Sequence, residues 1–446
     1  MSTMKKSRKF LAVLLTVCIC ITAVILPASA YEPDFEVPAD EGVFLMSLDT
    51  GQVLYEQNAD KQMAPASMTK VMSTIVALEN CQDLGEMVTA PSYIYDEFVG
   101  INVSTAGISP GEQLSVKDLL YCMMLQSANE AASIIADHFG GSIESFAEMM
   151  NKKAAELGCT NTHFVNPHGL DADGHYTSPR DMATIAQYAL GVNGFRDICT
   201  STRYTLPQTN IREEQVVVTT ILMQDEYRGG DLYNPYIKGI KTGTTDNAGR
   251  CFVSTYQRDG ENLLLVVMNA PNTDDDDNQA FTQTQQFYDW AHNNFDLETL
   301  VEKGSVLHEV KIKQSFDTDV LILTAASDVT LLLPSGADKT AVQYVATLDD
   351  EEIVAPVKKG DKIGKMTLKL GGETIGEVDM LAEKDVKGST ILKIADAIHG
   401  ALSSTAAKII LVLVILFILV YILFVIRSIN LQKKKGKIKR HKKYKL

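Results

Sequence analysis

Ser67 and Lys70 stand three residues apart in Pro65-Ala66-Ser67-Met68-Thr69-Lys70, a segment that opens an apolar pattern of helical period. Residues at that spacing share one helix face, so a hydroxyl and an amine are brought together. A serine becomes a nucleophile when a base takes its proton. A lysine can be that base when burial or a neighbouring cation keeps its amine neutral. Two further motifs follow. Ser127-x-Asn129 falls in a break, Gln126-Ser127-Ala128-Asn129, within a mainly helical stretch from Leu114 to Phe139, and Lys241-Thr242-Gly243 falls in a strand-like run. Each is weak alone, since Ser2-x-x-Lys5 and Ser428-x-Asn430 occur at the two ends of the same chain, where neither suits catalysis. Order, separation and placement on helix start, interhelical loop and strand make the combination specific, and the chemistry these residue types offer is that of a serine nucleophile activated by a nearby base.

Around these motifs, Gly42 to Tyr55 reads as two strands joined at Asp49-Thr50-Gly51. Val71, Met72, Ile75, Val76 and Leu78 bury one face of the Lys70 helix, and a second helical stretch runs from Ile143 to Leu157. It leads into a turn-rich loop, Asn166-Pro167-His168-Gly169-Leu170. Strands are expected over Tyr236–Gly243, Arg250–Tyr256 and Leu263–Met268. Helices in the middle and strands at both flanks predict a mixed α/β (α+β) domain over 31–298, its sheet assembled from N- and C-terminal pieces. Short strands around Val310–Ile312, Val320–Leu323, Val329–Leu333 and Val342–Thr347, and a hairpin at Gly371-Gly372, predict a small all-β domain over 302–386.

The ends differ from the middle. Lys5, Lys6, Arg8 and Lys9 precede an apolar run from Phe10 to Leu26, and Ala28-Ser29-Ala30 then offers a small-x-small cleavage site, so residues 1–30 read as a signal peptide rather than an uncleaved anchor. Residues 389–408 carry apolar positions at helical spacing and read as an amphipathic juxtamembrane segment or an ordinary stalk. Ile409 to Ile426 is unbroken apolar sequence, long enough to span a bilayer as a helix. Ten basic residues and no acidic one occupy 427–446, which places that tail in the cytoplasm and the rest of the chain outside. Between the ends, 27 basic residues face 56 acidic ones, a net charge of about −29 that disfavours nucleic acid. Five cysteines outside the first segment, at irregular spacing, suggest neither a disulfide framework nor a zinc site.

The three motifs are the signature shared by penicillin-binding proteins and serine β-lactamases. With Leu125-Gln126-Ser127-Ala128-Asn129-Glu130, the Asn166–Leu170 loop, Gly174-His175-Tyr176, Lys241-Thr242-Gly243-Thr244-Thr245-Asp246 and Pro356-Val357-Lys358-Lys359-Gly360-Asp361, the sequence over 40–385 resembles the D-alanyl-D-alanine carboxypeptidases, the low-molecular-mass penicillin-binding proteins of the SxxK type. The Glu-x-x-Leu-Asn loop of some β-lactamases is absent between Asn129 and Lys241.

The resemblance implies peptidoglycan stem peptides ending in D-Ala-D-Ala as substrate, β-lactam antibiotics as covalent inhibitors, and no metal or cofactor. It implies that Ser67 attacks the carbonyl, Lys70 takes its proton, and Ser127 passes a proton to the leaving amine. It assigns substrate binding to Asn129, Lys241, Thr242, Gly243 and Thr244, with the oxyanion held by the N–H groups of Ser67 and Thr244. His168 is expected to shape its loop rather than form a triad, since Lys70 already supplies the base.

Two features depart from the family pattern. Thr219 to Gly239 lacks an Asn-plus-basic pair, with Arg228 a substitute from a different position, and Asp274–Asp277 replaces an expected arginine. That acidic run reads as a solvated turn, with calcium as the alternative. Asp171-x-Asp173-Gly174 is too short for a calcium loop. Two alternatives to the carboxypeptidase stay open: a DD-endopeptidase or transpeptidase on the same acyl-enzyme, and a catalytically weak wall-binding or sensor protein.

Overall fold

Residues near Gly42 and near Leu263 alternate in which face they present, and both sets are apolar, so the strands they form are buried on both sides. The computed structural model describes residues 32–272 and 278–442. The expected signal segment 1–30, the run Asp274–Asp277 and residues 443–446 lie outside the described residues. The chain divides into two units, one running through Thr299 together with Thr330–Lys339, the other comprising Leu300–Val329 and Thr340 onward.

The first unit is built on a five-stranded antiparallel sheet of β1 (Gly42–Ser47), β2 (Val53–Gln57), β3 (Ile237–Thr245), β4 (Gly249–Arg258) and β5 (Glu261–Ala270), in the order β2-β1-β5-β4-β3. The N-terminal hairpin adds to the C-terminal strands, as expected from the sequence, and β3 is left on an edge. Phe44, Met46, Leu264, Val266 and Met268 face a helical layer of α1 (Thr69–Asn80), α2 (Val116–Leu125), α3 (Asn129–Gly140), α4 (Ile143–Glu156) and α5 (Pro179–Ala189). Val43, Leu45, Leu263, Leu265 and Val267 face the aromatic side of α6 (Gln279–Asn294), with Phe281, Phe287, Tyr288 and Trp290. Each such side chain contributes about 1.5–3 kcal/mol by leaving water.

The helix starts follow local chemistry. Ser115 caps α2 by accepting the Asp118 N–H at 3.1 Å while the Asp118 carboxylate accepts the Ser115 N–H, a reciprocal capping box. Ser178, Pro179 at the first position and Asp181 open α5, a helix absent from the sequence-based expectation although these signals were present.

Glu41, at the entry to β1, is fully buried, and neither carboxylate oxygen has a hydrogen-bond partner. Burial pushes its carboxyl up to about 8, from an ordinary 4.5. The folded state therefore keeps a proton that the unfolded chain releases. The stability this allows is fully present below about pH 4.5 and is lost progressively as pH rises toward 8. Glu41→Gln is expected to stabilise the protein by about 2–3 kcal/mol at pH 7, with the gain vanishing near pH 4.5. Urea unfolding of both proteins at the two pH values checks this, and a gain independent of pH would remove Glu41 as the titrating group.

The second unit contains a six-stranded sheet in the order Gln343–Leu348, Lys362–Leu370, Glu373–Ala382, Val320–Ala325, Val306–Lys313, Ile353–Val354. Its hairpin turns at Gly371-Gly372, both at positive φ (62° and 96°), as the turn residues predicted. Val329–Pro334 differs from expectation: it forms a separate ribbon with Phe295–Val301, and residues 330–339 group with the first unit. An alternating apolar strand does not announce its partner. Helices α7 (Thr390–Ser403) and α8 (Thr405–Lys442) follow, and Ile391, Ile394 and Ile398 on α7 are exposed. Within α8, Thr405–Lys433 is long and apolar enough to cross a membrane. It extends beyond the predicted 409–426 because the polar residues that follow do not interrupt the helix.

Candidate active site

Ser67 sits in a 3-10 turn, Ala66–Met68, that runs directly into α1. Ala66 has a left-handed backbone, φ 46°, which bends the chain sharply before the helix. Thr69 holds that bend, its hydroxyl donating to the Ala66 carbonyl at 2.9 Å and lying 2.8 Å from His175 Nε2. His175 Nδ1 accepts the Val165 N–H at 3.0 Å, so Nε2 carries the ring hydrogen and donates to Thr69. Burial takes His175 down to about 3, so this chain of bonds persists at neutral pH.

Lys70 is fully buried. Its Nζ lies 2.7 Å from Asn129 Oδ1, 2.6 Å from the His168 carbonyl and 2.9 Å from Ser67 Oγ. A neutral amine has two N–H groups and one lone pair. The two carbonyl oxygens accept both hydrogens, and the lone pair is left for the Ser67 hydroxyl. Electrostatics favour that form: burial holds Lys70 well below the ordinary lysine range, the charge of Lys241 adds to the effect, and Glu130 opposes it.

The loop that supplies the His168 carbonyl is built for docking. Asn166 closes it, accepting the Gly169 N–H at 2.7 Å and donating to the Leu170 carbonyl at 2.9 Å. The Pro167 carbonyl then accepts the Ser73 hydroxyl at 2.6 Å while His168 serves Lys70, and these two α1 residues share a face. The His168 ring is engaged elsewhere: Nδ1 accepts the Leu170 N–H at 3.2 Å and Nε2 donates to Glu97 at 3.3 Å. The imidazole is thus occupied in the loop, and its backbone carbonyl serves the site.

Asn129 and Ser127 come from the junction of α2 and α3. Ser127 is at φ 59°, nearly buried, in the tight turn that ends one helix and opens the next. Asn129 donates its backbone N–H to Ser104 at 2.9 Å, and its side-chain oxygen is taken by Lys70. Glu130 accepts from Thr105 Oγ1 at 2.6 Å and from the Ala106 N–H at 2.7 Å, strapping residues 104–106 to the start of α3. The sequence motif included Glu130 without giving it a role. A glutamate opening an otherwise apolar helix was the available signal.

Lys241, Thr242, Gly243 and Thr244 lie on edge strand β3. Lys241 is fully buried, and burial pulls it down to about 7; its Nζ donates to the Thr242 carbonyl at 3.0 Å. Gly243 is packed onto the Ser67 turn: a Cβ there would lie 2.9 Å from Ser67 N and from Ala66 Cβ. Only glycine lets the strand come this near Ser67. Thr244 is exposed, and Thr242 is bonded to Thr220 through their hydroxyls at 2.8 Å. Arg228 donates to the Thr219 carbonyl at 2.6 Å and lies 3.7 Å from Asp225. Asp171, set aside as a calcium ligand, accepts the Thr245 hydroxyl at 2.8 Å.

Residues 28–272 match the family model described as D-alanyl-D-alanine carboxypeptidase, peptidase S11. The chain belongs to the D-alanyl-D-alanine carboxypeptidase family. Residues 295–388 match the model of the penicillin-binding protein 5 C-terminal domain. D-alanyl-D-alanine carboxypeptidase DacF of Bacillus subtilis is 30% identical over 344 residues, 77% of this chain and 85% of that protein. DacA of Escherichia coli K12 is 29% identical over 422 residues, 89% and 98% of the two chains. Among solved structures, penicillin-binding protein 5 of Haemophilus influenzae superposes with a TM-score of 0.64 at 27% identity, over 78% of this chain and 97% of that one. The Streptomyces K15 DD-transpeptidase gives 0.51 at 28% identity, over 56% and 95%. The chain is therefore a serine-type D-Ala-D-Ala carboxypeptidase, a hydrolase acting on peptidoglycan stem peptides, with a penicillin-binding-protein fold, a C-terminal β domain and one apolar C-terminal helix.

Proposed function

We propose that this carboxypeptidase removes the terminal D-alanine through an acyl-enzyme on Ser67. The observation that carries this is the Lys70 amine, buried, 2.9 Å from Ser67 Oγ and with its two N–H groups directed to carbonyl oxygens. Lys70 takes the serine proton as Oγ bonds to the carbonyl carbon between the two D-alanines. The oxyanion is held by the N–H groups of Ser67 and Thr244, each donor worth about 3–4 kcal/mol in the transition state. Ser127 delivers the proton to the departing amine, and water then hydrolyses the acyl-serine.

Asn129, fixed through its oxygen by Lys70, presents its amide nitrogen to the substrate backbone, and Gly243 lets strand β3 lie beside the acyl group. The leaving residue's carboxylate is taken up by Thr242 and Thr244 in the field of Lys241. A carboxylate at that point favours the charged form of Lys241, which in turn favours neutral Lys70. β-Lactams would acylate Ser67 by the same route. Helix α8 anchors the protein in the membrane, with the catalytic unit outside the cytoplasm and the basic tail inside.

Incubating the full-length protein with labelled penicillin and with a peptide ending in D-Ala-D-Ala tests this. Label on Ser67 and release of D-alanine to water are expected. No label on Ser67 would refute the acyl-enzyme route. Transfer of the acyl group to an added amine would make the protein a transpeptidase, as its structural neighbour from Streptomyces K15 is titled.

A further inference from the structure

We propose that Thr220 is a positioning residue for the leaving D-alanine, aiming the Thr242 hydroxyl at the substrate's terminal carboxylate. Thr220 belongs to none of the three motifs. Three contacts place it where two of them meet. Its backbone N–H donates to the Leu125 carbonyl at 2.9 Å, at the end of α2 and two residues before Ser127. Its hydroxyl lies 2.8 Å from the Thr242 hydroxyl on edge strand β3. The preceding carbonyl, of Thr219, is held at 2.6 Å by Arg228, while the Thr219 side chain is buried and accepts the Ile221 N–H at 3.1 Å. Thr220 thus ties the Ser127 turn to the Lys241 strand from a backbone fixed at both of its peptide groups.

The chemistry follows from the count of hydroxyl hydrogens. Two paired hydroxyls share one hydrogen between them and leave one free. When Thr220 donates to Thr242 Oγ1, the Thr242 O–H is the free donor, fixed in direction by the bond it accepts. Thr220 is exposed and Thr242 half-buried, so the free hydrogen lies at the surface of the site. A hydroxyl so oriented suits a carboxylate, and a hydrogen bond to a charged acceptor is stronger than one between neutral groups. Arg228, with its guanidinium on the Thr219 carbonyl, holds the segment that carries Thr220.

This inference rests on the acyl-enzyme reading, and that reading fixes how it is tested. The carboxylate leaves with the first product, so Thr220 acts on acylation and has no part in hydrolysis of the acyl-serine. Full-length wild type, Thr220→Val and Thr220→Ser are compared with a peptide ending in D-Ala-D-Ala, separating acylation from deacylation in single-turnover and steady-state measurements, alongside thermal unfolding. For Thr220→Val, acylation efficiency is expected to fall about tenfold through weaker substrate binding, with deacylation within twofold of wild type and an unchanged unfolding midpoint. Thr220→Ser is expected to restore acylation. Equal losses in both steps, or a serine variant no better than valine, would overturn the proposal. Failure of wild type to form any acyl-enzyme would instead refute the reading it rests on.

Discussion

Lys70→Arg is expected to lower the rate of Ser67 acylation by at least about a thousandfold, because the residue that must be neutral becomes permanently charged. The cradle of Asn129 Oδ1 and the His168 carbonyl would accept hydrogens from a guanidinium as readily as from an amine, but no lone pair would remain for Ser67. The longer side chain also has to fit where Lys70 is fully buried. Labelled-penicillin trapping on the variant measures the loss, and acylation within tenfold of wild type would exclude Lys70 as the base.

The same cradle fixes the direction of a pH effect. Burial and the charge of Lys241 both lower Lys70, so activity persists to lower pH than an ordinary lysine would allow. In Lys241→Gln the burial remains and the repulsion is gone. The acidic limb of the acylation profile should therefore move to higher pH, along with the overall loss in rate. A limb displaced to lower pH would contradict this electrostatic coupling.

Gly169→Ala is expected to lower acylation about a hundredfold or more, although residue 169 has no proposed chemical role. Gly169 is at φ +89°, and an added Cβ would sit 1.8 Å from the Ala66 carbonyl oxygen and 2.8 Å from Thr69 Oγ1. Neither side can yield alone: Ala66 is itself at positive φ, and its carbonyl is bonded to Thr69. The clash would displace either the Ser67 turn or the loop that offers the His168 carbonyl. A shift of about 1 Å at reacting groups is enough for a loss of this size. Retained far-UV circular dichroism with slowed acylation is the expected pair of results, and acylation within threefold of wild type would show that this loop does not set the geometry of Ser67.

The residues of the candidate site could be picked out in the sequence because the proposed chemistry uses rare combinations at fixed spacing. The i, i+3 relation of Ser67 and Lys70 required only one helix turn, and Lys241-Thr242-Gly243 required a strand with a glycine where something comes close. The sheet's composition from both flanks also followed, since Gly42–Tyr55 and Leu263–Met268 both read as strands. What sequence did not reveal depends on backbone atoms. The His168 carbonyl and the Ala66 carbonyl do specific work that any residue type could do, so no side-chain pattern marks them. Thr220 was passed over because threonine pairs are common and only folding brings this one to Thr242. Arg228, considered as a substitute cation, was placed by the structure on the Thr219 carbonyl beside Asp225.

The pairing of Val43 with Val267 joins residues more than two hundred positions apart, and the site lies between them in the chain. Ser67 and Lys70 emerge early from the ribosome, Asn129 and the His168 carbonyl later, and Lys241 later still. Until β3 has folded against the Ser67 turn, Lys70 lacks the neighbour whose charge helps keep it neutral, and Ser67 lacks the strand that Gly243 brings alongside. Closing so long a loop is slow. Because the residues of the proposed site are spread over this span, they are held together as a group only when the last strands complete the sheet.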